Sequence, residues 1–203
     1  AVMMATPVDL DDFARGFSLT EGVVERIDEC LVVEEVPVGR GVEVRVTVAE
    51  DRALALRART RALAGRTGCG LCGVESIGEA LRPVGRPASP ARFADAAVHA
   101  AVRDFAEGQV LGAATGATHA AAFADAAGRI RLLREDVGRH NALDKLVGGL
   151  AAAGLDLGAG FVVVSSRCSY EMVHKTAAAG IPAIVAVSAP TGLAVDLADR
   201  LGL

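Results

Sequence analysis

The amino-acid sequence predicts an α/β protein: a mixed sheet flanked by helices, with a smaller N-terminal β/α subdomain in front of it. Three observations lead there. Two short apolar runs near the C-terminus, Phe161-Val-Val-Val and Ala183-Ile-Val-Ala-Val187, alternate with helical stretches. Strands that are apolar without alternation are buried on both faces, the habit of parallel pairs. Upstream, Asp125-Ala-Ala-Gly128 divides two apolar segments as a hairpin turn would, which makes the sheet mixed. The first third carries strand and helix signals of its own.

Taken in order, residues 1–6 read as a strand. A helix is predicted over 9–23, where Leu10, Phe13, Phe17 and Leu19 are roughly helical in spacing and Asp9 is placed to cap. Strands follow at 30–36 and 42–48, the second alternating through Val42, Val44, Val46 and Val48. A helix over 51–63 carries Arg52, Arg57, Arg59 and Arg61, and a turn-rich link holds Pro83, Pro87 and Pro90. Next comes a helix over 91–111, with Ala97, Val98, Ala101, Val102 and Phe105 on one face. The hairpin pairs 118–124 with 129–134. Helices at 138–152, 169–179 and 191–201 then alternate with strands at 161–166 and 182–188, and the crossover should be right-handed. The pattern divides the chain into an N-terminal subdomain (1–65), a cysteine loop and link (66–90) and the main α/β domain (91–203). Because Ala1-Val-Met-Met-Ala5 reads as a strand already under way, the natural protein is expected to extend past the ends given.

Composition narrows the function. With 203 residues, 52% hydrophobic and only 3% aromatic, the core must be aliphatic. A net charge of −4 argues against a general nucleic-acid binder. No apolar run approaches the ~18 residues of a membrane span, and no signal peptide is evident. Four cysteines are too few for a secreted disulfide scaffold. A cytoplasmic, reducing setting is expected, with the cysteines as thiols.

Residues 68–73 read Gly-Cys-Gly-Leu-Cys-Gly. Glycine gives backbone freedom and no cover, so Cys69 and Cys72 are expected on a loop that can present a thiol. A structural zinc site needs four ligands, usually two such pairs, and no second pair exists. A zinc deaminase would show His-x-Glu and Pro-Cys-x-x-Cys. None of His99, His119, His140 or His174 has Glu two residues on, and no proline precedes Cys69. No metal site is therefore expected. A thioredoxin-like site fits poorly, since an arginine-rich helix precedes the pair. What remains is a nucleophilic thiol, its thiolate favoured by Arg61 and Arg66, or an inert surface loop.

Two further blocks suggest ligand binding. On a helix of about 100° per residue, His140, Asn141, Asp144 and Lys145 share an arc of about 140°, opposite Ala142, Leu143, Leu146, Val147 and Leu150. The polar arc is a solvated face or, given its short hydrogen-bonding groups beside Gly138, a site for a polar or anionic ligand. Ser165-Ser-Arg167 and Ser188-Ala-Pro-Thr191 follow the two parallel strands and open helices. Such an edge binds ligands in open α/β sheets, and helix starts there favour phosphate. Simple capping explains the hydroxyls, but a cation such as Arg167 opposes the helix dipole unless an anion binds.

Together these blocks resemble the FdhD family, sulfur carriers required to activate formate dehydrogenase. Gly68-Cys-Gly-Leu-Cys-Gly73 is similar to its cysteine loop, and Glu135-Asp-Val-Gly-Arg-His-Asn-Ala-Leu-Asp-Lys145 to its central signature. Ser165 to Lys175, Ala178-Ala-Gly-Ile-Pro-Ala183 and Ala186 to Thr191 are similar to later blocks, and Ala5-Thr-Pro7 to the early one. Ser166 stands where members usually carry Gly, Cys168 where they carry a small residue, and Val8 where Thr-Pro-Gly-Asp is favoured. The resemblance implies a cytidine-deaminase-like fold without its zinc, and a homodimer. It implies sulfur received from a cysteine desulfurase as a persulfide, then passed to the molybdenum or tungsten of a bis-guanine-dinucleotide pterin cofactor, which a GDP-like nucleotide would mimic. On that footing Cys69 carries the persulfide and Cys72 assists. Arg139, His140, Asn141, Asp144 and Lys145 line the cofactor pocket, while Ser165, Arg167, Ser188, Pro190 and Thr191 cradle the nucleotide phosphates. Two rivals stand beside it. One is a non-catalytic chaperone for the same cofactor. The other is a nucleotide deaminase, suggested by fold analogy and opposed by the missing zinc motif.

Overall fold

The computed structural model describes residues 2–54, 84–85 and 91–203. In chain order the elements are α1 (Leu10–Thr20), β1 (Cys30–Val38), β2 (Gly41–Val48), α2 (Asp95–Glu107), α3 (Val110–Thr115), β3 (His119–Asp125) and β4 (Ile130–Asp136). They continue with α4 (Arg139–Ala152), β5 (Gly160–Val164), α5 (Tyr170–Ala178), β6 (Ile184–Ala186) and α6 (Gly192–Leu201). The helix expected over 51–63 is helical at 50–54. Its remainder, the run at 68–73 and the boundary expected near 65 lie outside the described residues.

The main sheet runs β4-β3-β5-β6. β3 pairs antiparallel with both β4 and β5, and β5 pairs parallel with β6, so the mixed α/β architecture is as expected. Side chains alternate faces along a strand. Ala121 and Phe123 of β3 join Val162 and Val164 of β5 in one cluster with α4, α5 and α6. Ala120, Ala122 and Ala124 join Phe161 and Val163 in the other, against Ala101 and Phe105 of α2. The alanines of β3 give the central strand a thin profile, so helical layers reach it from both sides.

α1 contributes to this core. Leu19 packs on the larger cluster, and α1 lies against α4 almost backbone to backbone. A Cβ on Gly16 would sit 1.7 Å from Asp144 O, and one on Gly148 would sit 1.9 Å from Asp12 O. Glycine in a helix interior costs about 0.5–1 kcal/mol, which this close crossing offsets. β1 and β2 form a separate antiparallel ribbon turned at Gly39, whose φ is 58°.

Several elements depart from the sequence reading. Residues 2–6 form no strand; side chains of β4 and α4 take their backbone bonds instead. Asp9 does not cap α1 with its carboxylate: its backbone is left-handed (φ 52°) and its side chain makes no cap bond. Instead the carboxylate faces Arg134 at 3.6 Å. The helix expected over 91–111 breaks at Gly108, and Glu135 accepts from Leu111 N (2.8 Å) and Gly112 N (2.7 Å) to satisfy the start of α3. The strand expected over 182–188 shortens to Ile184–Ala186, since Pro182 has no N–H for a ladder.

Substituting Gly148→Ala should destabilise the fold by at least about 1–3 kcal/mol, because backbone must move to admit the methyl group. Urea unfolding should show a lower midpoint with an unchanged slope. An unchanged midpoint would mean that α1 and α4 do not cross this closely.

Candidate functional site

Strand direction gathers the candidate residues. β4, β5 and β6 run the same way, and β3 runs against them. Their carboxyl ends and the start of β3 therefore share one edge, where α4, α5 and α6 all begin. In register, His119 faces Asp136 across β3 and β4, and Val164 faces Ala186 across β5 and β6. The two following loops are tied together by Thr191 N donating to Cys168 O at 2.9 Å and by a bridge between Cys168 and Pro190. Three helix starts on one edge sum their unpaired N–H groups and partial positive charges, an arrangement that favours an anion.

Along that edge the expected residues divide. Arg167, Ser188, Pro190 and Thr191 are exposed, and Arg167 makes no ion pair among the described residues. Thr191 Oγ1 accepts from Ala194 N at 3.3 Å, so it caps α6. Ser165 Oγ accepts from Ala120 N at 2.9 Å and continues the β3–β5 pairing. Arg139 and His140 open α4 half-buried, and Arg139 Nε and His140 Nε2 are covered from solvent without a hydrogen-bond partner among the described residues. Burial and the adjacent Arg139 guanidinium hold the His140 imidazole down to about 4. On the same edge stands His119, whose imidazole pKa is lowered by burial and by Arg139.

The rest of the polar arc of α4 faces inward. Lys145 and Asp136 are fully buried and paired at 2.7 Å. Asn141 Nδ2 donates to Met4 O at 2.9 Å and to Asp136 Oδ1 at 3.0 Å. Asp144 accepts from Thr20 Oγ1 (2.6 Å) and, through both oxygens, from Lys175 Nζ at 2.9 Å. Burial works against the Lys175 charge, but Asp144 and Glu21 overcome it and raise its pKa. Asn141, Asp144 and Lys145 thus spend their polar groups on the protein itself, and only Arg139 and His140 of the five retain unpaired buried atoms. Asp136 and Lys175 lie inside the sequence blocks singled out above, but nothing in their spacing shows which charges pair.

The thiols divide as well. Cys69 and Cys72 lie outside the described residues. Cys30 and Cys168 are buried and free, and burial pushes both thiols up, away from the reactive thiolate. Among the described residues, no helix is long and apolar enough to cross a membrane.

The His140 shift has a consequence for stability. Its folded value, about 4, lies below the ordinary 6.5, so between those values the unfolded chain binds more protons than the folded one. Stability should therefore fall as pH drops through that window. Replacing His140→Gln should remove at most about 3 kcal/mol of that fall, measured by urea unfolding at several pH values. Identical pH slopes in the two proteins would mean the imidazole is not held neutral.

Comparison with known proteins bears on the same segments. The FdhD/NarQ family model matches residues 1–203. A sulfur carrier protein FdhD from Bordetella petrii is 55% identical over 200 residues, covering 98% of this chain and 72% of the relative. One of the same name from Cupriavidus necator is 50% identical, covering 100% of this chain and 70% of the relative. The crystal structure of a protein assigned as a formate dehydrogenase accessory protein from Desulfotalea psychrophila has a TM-score of 0.67 at 24% identity. It covers 97% of this chain and 71% of that one and shows the same fold. With its full length matched and half or more of its residues shared with named members, the chain belongs to the FdhD/NarQ family.

Proposed function

We propose that this chain is a sulfur carrier that serves formate dehydrogenase. It takes persulfide sulfur from a cysteine desulfurase and delivers it to the molybdenum of a bis-guanine-dinucleotide pterin cofactor, acting as a cytoplasmic homodimer. The observation that carries the reading is the full-length family match to proteins named as sulfur carriers, in a chain that holds the Cys69-Gly-Leu-Cys72 pair. The upward shift of Cys30 and Cys168 supports it, since those two thiols are poor nucleophiles and leave the reactive role to the pair.

The chemistry is thiol exchange. The Cys69 thiolate attacks the outer sulfur of the desulfurase persulfide. A sulfur–sulfur bond breaks in the donor, whose thiolate leaves, and an equivalent bond forms at Cys69, with no net oxidation. For delivery, the Cys72 thiolate attacks Cys69 Sγ and closes a disulfide, releasing the outer sulfur as sulfide to the metal of the client cofactor. A dithiol reductant then reopens the disulfide. The edge where α4, α5 and α6 begin holds the nucleotide end of the client through Arg139, His140 and Arg167, with Ser188, Pro190 and Thr191 alongside. Asn141, Asp144, Lys145 and Ser165 hold that edge in shape.

The test is intact mass measurement and peptide mapping after incubation with a cysteine desulfurase and cysteine. Reductant-labile sulfur should appear on the Cys69–Cys72 peptide and on neither Cys30 nor Cys168. Cys69→Ser should abolish it, and with it the activation of formate dehydrogenase, while leaving thermal unfolding unchanged. Formate dehydrogenase fully activated by Cys69→Ser would sink the carrier reading and leave a cofactor chaperone.

A further inference from the structure

Residues 4–6 are held by side chains and not by a sheet ladder. Met4 O accepts from Asn141 Nδ2 at 2.9 Å. Thr6 is bonded through both backbone groups: its N donates to Asp136 Oδ2 at 2.9 Å, and its O accepts from Lys145 Nζ at 2.8 Å. Thr6 Oγ1 accepts from Val137 N at 3.0 Å, and Asp136 Oδ1 accepts from Gly138 N at 2.8 Å. Those last two bonds fix the backbone immediately before Arg139. Pro7 restricts Thr6 to an extended conformation, so the segment is shaped for this contact before it docks.

We infer that residues 4–6 are a positioning strap for the first turn of α4, so that Thr6, which touches no ligand, sets where Arg139 and His140 stand. The inference rests on the reading that Arg139 and His140 meet the guanine-nucleotide end of the client. A binding group must be held to within about 0.5 Å by the residues behind it. Gly138 supplies no such restraint itself, since it has no side chain and a permissive backbone. The restraint comes from Thr6 on one side and Asp136 on the other. Asp136 is in turn held by the buried Lys145 ammonium, which also grips Thr6 O, so strap, strand end and helix close one ring of contacts.

The position of His140 can be read without a ligand. Its ring is surrounded by Arg139 on its own helix, Glu171 and Lys175 on α5, and Glu21 at the end of α1. Burial and Arg139 dominate and hold it near 4. A first turn that shifts toward solvent loses burial, and the ring then titrates closer to 6.5.

The test compares Thr6→Val with Thr6→Ser in the full chain. Valine keeps the size and both backbone bonds of residue 6 but leaves Val137 N without its acceptor, whereas serine restores the hydroxyl. Two quantities are measured: the His140 titration by NMR and the affinity for GDP by calorimetry. Thr6→Val should raise the His140 value and weaken GDP about fivefold, the scale of one lost hydrogen bond. Thr6→Ser should keep both at wild type. A Thr6→Val protein that melts earlier but keeps the wild-type His140 titration and GDP affinity would reduce the strap to a stabilising contact and overturn the inference. Should GDP fail to bind the wild-type chain, the assignment of Arg139 and His140 to the ligand falls, while the His140 titration still decides the strap. Sulfur loading of Cys69, which needs neither residue, reports separately on the carrier reading.

Discussion

A charge taken out of water is costly unless it is paired, and fully buried Lys145 finds its partner in Asp136 at 2.7 Å. Much of the site follows from that pair. Breaking a buried ion pair from one side typically costs about 3–5 kcal/mol, so the arrangement around it is strongly specified. The ammonium needs further acceptors and takes Thr6 O; the carboxylate needs further donors and takes Thr6 N, Gly138 N and Asn141 Nδ2. The end of β4, the turn into α4 and the N-terminal segment are thereby locked to one another. At the adjacent position of α4 the same device recurs: Asp144 and Lys175 pair at 2.9 Å and take in Thr20 and Glu21, joining α1, α4 and α5.

These two clusters explain why α4 is polar on a side that is buried beyond its first turn. The inner part of the arc binds the protein to itself, and the first turn, with Arg139 and His140, is left for other chemistry. The division follows position along the helix. The deeper residues Asn141, Asp144 and Lys145 are buried, and their polar groups are satisfied by the protein itself. Residues at the start sit among unpaired N–H groups and the positive ends of three helices, where an anion is favoured. Burial first and Arg139 second lower the pKa of both His119 and His140, so the charge at this end of α4 comes from the guanidinium.

Much of this was legible in the sequence where the signal is local. The unbroken apolar runs of β5 and β6 marked a parallel pair, of which β5 is buried as expected while β6, at the sheet edge, is only half-buried, and the turn at Asp125 to Gly128 marked the hairpin. What escaped depends on contacts across the chain. Residues 1–6 are apolar enough to read as a strand, yet their partners are side chains some 130 positions away, which no local pattern encodes. Asp9 looks like a cap, but the salt contact to Arg134 takes its carboxylate elsewhere. The polar arc was visible at Asn141, Asp144 and Lys145, but a periodicity argument cannot separate a face that binds a ligand from one that binds its own chain. That distinction needed the positions of Asp136, Thr20 and Lys175.

The most direct measurement is a crystal structure of the full chain with GDP bound. The phosphates should lie at the edge where α4, α5 and α6 begin, against Arg139, with Lys145 Nζ still on Asp136 and Thr6. Phosphates on Lys145 Nζ, with the Asp136 pair broken, would contradict the division of α4 into an inner structural arc and an outer binding turn.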